Sequence, residues 1–296
     1  MFKGAITALV TPFKNGNLDV NALKKLIEFQ VEKGINGIVP CGTTGEAPTL
    51  SYEEHKKVIE LTVKYVKKHV PVIAGTGANS TEEAIELTEF AKKAGADGAL
   101  LVCPYYNKPS QEGLYRHFKK IAETVDIPII LYNIPGRTGI NMLPETVVRL
   151  SKIPNIVGIK EASGSLEQVT EIIKNTDKDF VVLSGDDTLT LPMLSLGGKG
   201  VISVASNIIP DRITKMVTLY LNKKVEEARK IHYEYYDFMK AMFIETNPVP
   251  VKTAMGMMKM IDPEVRLPLC EMTEANLNKL KAVLQRYNLL KQGAKK

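Results

Sequence analysis

Residues 81–103 read TEEAIELTEFAKKAGADGALLVC, and the change of character at Gly95 decides the fold. Up to Lys93 the apolar positions recur at helical spacing behind a cap at Asn79 or Ser80. Gly95 ends the helix, and Gly98–Cys103 is then a nearly unbroken apolar run, the pattern of a strand buried on both faces. The same junction recurs in EKGINGI (32–38) and LGGKGVI (196–202). Working outward, apolar runs fall at Ala5–Val10, Gly37–Pro40, Pro71–Ala74, Gly98–Cys103, Pro128–Tyr132, Ile156–Ile159, Phe180–Leu183 and Gly200–Val204. Helical stretches follow them, among them Ser51–Lys68, Thr81–Lys93, Glu112–Thr124 and Leu166–Asn175. Eight such units predict an α/β fold closed as a (β/α)8 TIM barrel; seven or fewer would favour an open doubly wound sheet.

The barrel pattern stops near residue 222. Val225–Ile244, Val251–Met260 and Glu274–Leu290 then read as three helices. The chain therefore divides into a catalytic barrel, 1–222, and a C-terminal helical region, 223–296, packed on it. The methionine-rich TAMGMMKMI (253–261) reads as helix core or subunit contact.

The net charge of +6 comes from lysines scattered beside glutamates on helix faces, as in LKKLIEFQVEKG (23–34), which argues against a nucleic-acid partner. The tail KQGAKK (291–296) reads as a frayed terminus. No apolar run approaches the roughly 20 residues that span a bilayer, and MFKGAITALVTPF does not read as a signal peptide. A cytoplasmic protein with no membrane partner is expected. Cys41, Cys103 and Cys270 lack CxxC spacing and all read as small buried residues. His55, His69, His117 and His232 form no ligand pair, and those on helices read as surface residues. No metal is expected.

Function on a barrel is written where the strands end. The second strand delivers Gly42-Thr43-Thr44-Gly45-Glu46, the fourth Tyr105-Tyr106-Asn107, and the fifth Tyr132-Asn133 followed by Pro135-Gly136-Arg137-Thr138-Gly139. The sixth ends in Lys160-Glu161, the seventh in Ser184-Gly185-Asp186-Asp187, and the eighth in Ser203-Val204. Lys160 closes the apolar run IVGIK, where an ammonium is costly to bury. It is either the partner of Glu161 or Asp186 in an ion pair, or an amine free to attack a carbonyl. Tyr132, at the neighbouring strand end, is placed to move protons at the same centre. The glycines and hydroxyls of 42–46 suit a carboxylate, or form only a tight turn. The planar fork of Arg137 suits a second carboxylate, or pairs with a surface acid.

The motifs GTTGE (42–46), AGTGAN (74–79), PYYNKPSQEGLYRHF (104–118), LYNIPGRTG (131–139), GIKEASG (158–164) and LSGDD (183–187) together resemble the dihydrodipicolinate synthase family. It lies within the pyruvate-dependent class I aldolases, which include N-acetylneuraminate lyase, and the resemblance runs from Gly4 to about Leu290. It implies condensation of pyruvate with L-aspartate 4-semialdehyde to 4-hydroxy-tetrahydrodipicolinate, the committed step of diaminopimelate and lysine biosynthesis. Lys160 would form the Schiff base, with Tyr132, Thr43 and a Tyr106 from a neighbouring subunit as proton relay. Thr43 and Thr44 would hold the pyruvate carboxylate, Gly185 and the carbonyl of Ile202 would line the site, and Arg137 would bind the semialdehyde carboxylate. No cofactor is implied, and self-association as a dimer of dimers is. Some relatives are inhibited by lysine; the corresponding positions here are Ala47, Pro48, Tyr52, His55, Asn79, Glu83 and Tyr105. Of these, Ala47 stands for a serine and Tyr52 for a histidine of the inhibited forms. The alternative reading is an aldolase of 2-keto-3-deoxygluconate type using the same imine.

Overall fold

The computed structural model describes residues 2–290; the tail reading at 291–296 lies outside the described residues. The eight apolar runs become eight parallel strands: β1 (Gly4–Ala8), β2 (Gly37–Val39), β3 (Ile73–Gly75), β4 (Gly98–Val102), β5 (Ile129–Asn133), β6 (Ile156–Glu161), β7 (Val181–Ser184) and β8 (Gly200–Ser203). β1 pairs with both β2 and β8, and the series runs on through β7 to β3. A parallel bridge from Ile38 to Val72, with the Gly75 amide donating to the Pro40 carbonyl at 2.9 Å, joins β2 to β3 and closes the ring.

Helices cover the outside: α1 (Val20–Glu32), α2 (Tyr52–Val66), α3 (Thr81–Ala94), α4 (Gln111–Thr124), α5 (Pro144–Leu150), α6 (Leu166–Asn175), α7 (Thr190–Ser195) and α8 (Pro210–Leu221). Their limits are set by local chemistry. Ser51 and Glu54 make a reciprocal capping box at the start of α2. Ser80, of the two candidates, caps α3, and Gly95 (φ +90°) ends it with its amide on the carbonyls of Ala91 and Lys92. The C-terminal region is α9 (Val225–Ala241), α10 (Val249–Met257) and α11 (Glu274–Arg286), three helices as expected. None of the described helices is long and apolar enough to cross a membrane.

Two kinds of core follow from this layering. Inside the ring, Phe2, Ile6, Val39, Ile73, Leu100, Ile130, Leu183 and Ile202 pack together. Between sheet and helices, one continuous cluster carries Leu9, Leu23 and Val58 of the barrel side together with Phe238, Val251, Met255 and Leu280 of the C-terminal region. Met255 is fully buried, as the methionine-rich stretch predicts for a core residue.

Two expectations are overturned, and one element was not foreseen. Cys270 is exposed, because it lies in the loop between α10 and α11 rather than on a packed face. His55, His117 and His232 are buried, although each sits among polar neighbours in sequence. His55 faces inward, its Nε2 bonded to the Gly75 carbonyl of β3, whereas His117 meets Thr81 of the neighbouring helix α3, since helices of a barrel pack sideways on one another as well as inward. Finally, a small hairpin, Phe13–Lys14 with Asn17–Leu18, follows β1. Its turn is Asn15-Gly16, both at positive φ, a hairpin signal that the barrel pattern overshadows.

Candidate active site

Register places the two strand-end groups side by side. Tyr132 of β5 pairs with Lys160 of β6, and neighbours in a parallel ladder share a face. Both therefore point into the barrel, with the Lys160 ammonium 4.1 Å from the centre of the Tyr132 ring. Lys160 is 6% exposed and makes no ion pair among the described residues. The ion-pair reading is thereby excluded: Glu161, one residue on, lies on the other face of the strand. It accepts from Asn133 Nδ2 at 3.1 Å, the Ser163 amide at 2.6 Å and Gln168 Nε2 at 3.2 Å. Asp186 instead turns back on Thr188, whose amide and hydroxyl both donate to it at 2.7 Å. Gly185 leaves room for the lysine; a Cβ there would stand 3.1 Å from Lys160 Cε and closer still to Ala162.

The loop after β2 is partly turn and partly open. The amides of Gly45, Glu46 and Ala47 close onto the carbonyls of Gly42 and Thr43 at 3.1–3.3 Å. Those of Thr43 and Thr44 have no acceptor among the described residues, so two amides and two hydroxyls remain for a ligand. Thr44 is buried and its hydroxyl accepts from Asn247 Nδ2 at 3.0 Å. Arg137 sits in the short helical turn Pro135–Thr138 and donates to the Asn247 carbonyl at 3.1 Å. Ile202 is buried on β8, opposite Ile6.

A cavity of 410 Å³ opens at this mouth and is lined by Thr43, Tyr132 and Arg137 together with His55, Glu83, Tyr105, Tyr52, Ala47 and Pro48. Three of the catalytic and binding candidates, Thr43, Tyr132 and Arg137, thus share one depression with most of the regulatory candidates. Burial lowers the His55 pKa, against the bond of its Nε2 to the Gly75 carbonyl at 2.7 Å, which raises it. Burial, then the charge of Glu83, raises the Tyr105 hydroxyl above its usual range. Asn79 lies beside them, its Nδ2 donating to the Tyr105 carbonyl at 3.2 Å. Lys160, Thr44, Gly185 and Ile202 are not among the lining residues, and Tyr106 lies furthest from the reading. It stands outside the cavity, 88% exposed, on a backbone at φ +72°.

The family model for the dihydrodipicolinate synthetase family matches residues 1–287. The chain belongs to that family. A curated relative from Syntrophus aciditrophicus, called 4-hydroxy-tetrahydrodipicolinate synthase, is 60% identical over 290 residues, 98% of this chain and all of the relative. Among solved structures, dihydrodipicolinate synthase from Aquifex aeolicus is 54% identical with a TM-score of 0.97, covering 98% of this chain and 100% of that one. The enzyme from Cyanidioschyzon merolae, solved with lysine bound, is 45% identical with a TM-score of 0.95, covering 98% and 99%.

Several contacts at the mouth escape sequence reasoning. Asp187 is buried; it accepts from the Ser203 hydroxyl and from the amides of Val204 and Ala205 at 2.9 and 3.0 Å, tying β7 to the end of β8. Desolvation raises its pKa, against the pull of those donors. Asn247 and Lys252 come from the C-terminal region, which the strand-end reading does not reach. Lys252 is fully buried and donates to Glu46 at 2.6 Å and to the Thr11 carbonyl at 2.9 Å. Phe13 of the unforeseen hairpin lies under that ammonium, 4.4 Å from its ring centre, and under the Arg266 guanidinium at 4.1 Å. Their only sequence signal is polarity inside an apolar stretch, NPVPVKTAMGM (247–257).

Proposed function

We propose that the chain condenses pyruvate with L-aspartate 4-semialdehyde to 4-hydroxy-tetrahydrodipicolinate, the activity its curated relatives are called by, with Lys160 as the amine that forms the imine. The observation that carries the roles is Lys160 itself: a buried ammonium whose neighbour is an aromatic face rather than a carboxylate. Such a charge is expensive to keep in place without function.

Lys160 Nζ adds to the ketone carbon of pyruvate, and the carbinolamine loses water to give the protonated imine. Loss of a methyl proton gives the enamine, whose terminal carbon attacks the aldehyde carbon of the semialdehyde; the aldehyde oxygen takes up a proton. The amine of that substrate then adds to the imine carbon and the lysine leaves. The protonated imine is the electron sink, so the reading needs no cofactor. Tyr132 and Thr43 move protons at this centre, joined by Tyr106 from a second copy of the chain. Exposure of Tyr106 on its own subunit supports that contact; a dimer of dimers is the assembly that the family resemblance implies. Thr43 and Thr44, whose amides are unclaimed, hold the pyruvate carboxylate; Gly185 and the Ile202 carbonyl line the site. Arg137, at the rim, takes the carboxylate of the semialdehyde in preference to the polyol of a sugar acid. A cytoplasmic location follows from the same reading.

The shared cavity favours a second statement: lysine binds near Asn79, Glu83, His55 and Tyr105, where the Glu83 carboxylate is available to an ammonium group. Titrating lysine into the steady-state assay tests it, and an unchanged rate rejects it. For the main reading, Arg137→Ala is the discriminating variant. Semialdehyde use falls by about 10²-fold or more in kcat/KM, while imine formation with pyruvate is kept. Undiminished condensation in that variant, or turnover of 2-keto-3-deoxygluconate by the parent, would sink it.

A further inference from the structure

The loop Gly42–Glu46 is anchored from outside the barrel at two points, and both anchors lie in one short segment, Asn247–Lys252, at the start of α10 (Val249–Met257). At the near end, Asn247 Nδ2 donates to Thr44 Oγ1 at 3.0 Å. A hydroxyl has one proton to give. With a lone pair already occupied by Asn247, that proton is directed elsewhere, toward a ligand oxygen. The Asn247 carbonyl meanwhile accepts from Arg137 at 3.1 Å, so the same residue touches both groups read above as anion binders. Its Oδ1 is buried without a partner among the described residues, so the amide gains nothing further from its orientation.

At the far end, Glu46 sits at φ +53°, a conformation that a residue with a side chain holds only when its surroundings over-determine it. Lys252 Nζ meets one carboxylate oxygen at 2.6 Å, and the Arg266 amide meets the other at 3.1 Å. A buried ion pair is a poor source of stability, because desolvating both charges offsets their attraction; an apolar pair of similar volume commonly serves as well or better. What an apolar pair lacks is direction. Thr11 completes the clamp, donating to the Gly45 carbonyl at 2.6 Å while its own carbonyl accepts from Lys252.

We infer that Asn247 and the Glu46–Lys252 pair are positioning residues. Through them the C-terminal region sets the donor direction of Thr44, the presentation of Arg137 and the backbone of the carboxylate loop. The inference rests on the proposed function, which makes these groups the substrate anchors. It assigns to α10 a part in substrate affinity, not only in packing.

Two variants test it, read by borohydride trapping of pyruvate across a concentration series, by steady-state KM and kcat, and by melting temperature. Asn247→Asp keeps the shape but replaces a donor by an acceptor, so the Thr44 proton turns away from the ligand. Glu46→Leu with Lys252→Met removes the directional pair and keeps the volume. In each, the pyruvate concentration for half-maximal trapping rises about tenfold or more, and the semialdehyde KM rises in Asn247→Asp; melting is little changed in the double variant and falls in Asn247→Asp, which buries a carboxylate. Restoring the amide with Asn247→Gln recovers part of the pyruvate affinity. Melting that falls while half-saturation stays at the parental value would reduce these residues to packing and overturn the inference. If the double variant does not fold, Asn247→Asp alone decides. A parent chain that traps no pyruvate on Lys160 refutes the proposed function and this inference with it; a parent that traps while Asn247→Asp titrates identically refutes only the inference.

Discussion

Glu46 and Glu161 are both 2% exposed carboxylates beside the barrel mouth, and they are satisfied in opposite ways. Glu161 is held by neutral donors from its own neighbourhood: Asn133, Ser163 and Gln168, none more than 28 residues away. Those amides are locked in turn, with Asn133 and Gln168 both bonded to Asn141. Glu46 is held by a cation 206 residues away and by an amide 220 residues away, both from the C-terminal region. The β5–β6 side of the mouth, which carries Tyr132 and Lys160, is thus self-contained within consecutive β/α units. The β2 side, which carries Thr43 and Thr44, is incomplete until the last third of the chain has docked.

The sharpest way to break this comparison is to remove the cation from the β2 side. Lys252→Ala leaves Glu46 buried without its cation and costs about 3–5 kcal/mol in chemical denaturation. Should it cost less than 1 kcal/mol, the two sides would not differ as described.

A second test asks whether neutral partners suffice elsewhere in the barrel. Among the described residues His117 has only the Thr81 hydroxyl as a hydrogen-bond partner, at 2.9 Å, and burial lowers its pKa to about 4 from an ordinary value of 6.5. Between those values the unfolded chain binds more protons than the folded one. The stability tied to the neutral imidazole is therefore complete above about pH 6.5 and drains away as pH falls toward 4, by up to roughly 3 kcal/mol. Denaturation curves from pH 7.5 to about 4.5 in the parent and in His117→Gln read it directly. Parallel pH dependences in the two proteins would contradict it.

The smallest effect belongs to Glu161→Gln. Among the described residues only neutral donors bond this carboxylate, so the amide turns one N–H toward another N–H and costs about 2 kcal/mol, less than Lys252→Ala. A larger loss than that of Lys252→Ala would mean that the charge of Glu161 matters beyond its hydrogen bonds.

The same contrast governs how much was legible in the sequence. Strand runs and helix-ending glycines such as Gly95 are local, and they yielded all eight strands and the closed ring. Lys160 and Tyr132 were legible because each ends a strand of its own and the strands are consecutive, so parallel register alone pairs them. Asn247 and Lys252 were not, since what they touch is set by how α10 docks, and their spacing carries no trace of that. His117 was hidden for a related reason: its partner Thr81 belongs to the neighbouring helix α3. Arg137 was placed at the rim by its loop, but its bond to the Asn247 carbonyl again needed the C-terminal region.

The central claim is that Lys160 is the amine on which the chemistry runs. Incubating the full chain with pyruvate, reducing with borohydride and mapping the adduct by peptide mass spectrometry tests it most directly. The account predicts a single reduced pyruvate adduct, on Lys160, absent from Lys160→Ala. An adduct on another lysine, or none on the folded protein, would contradict it.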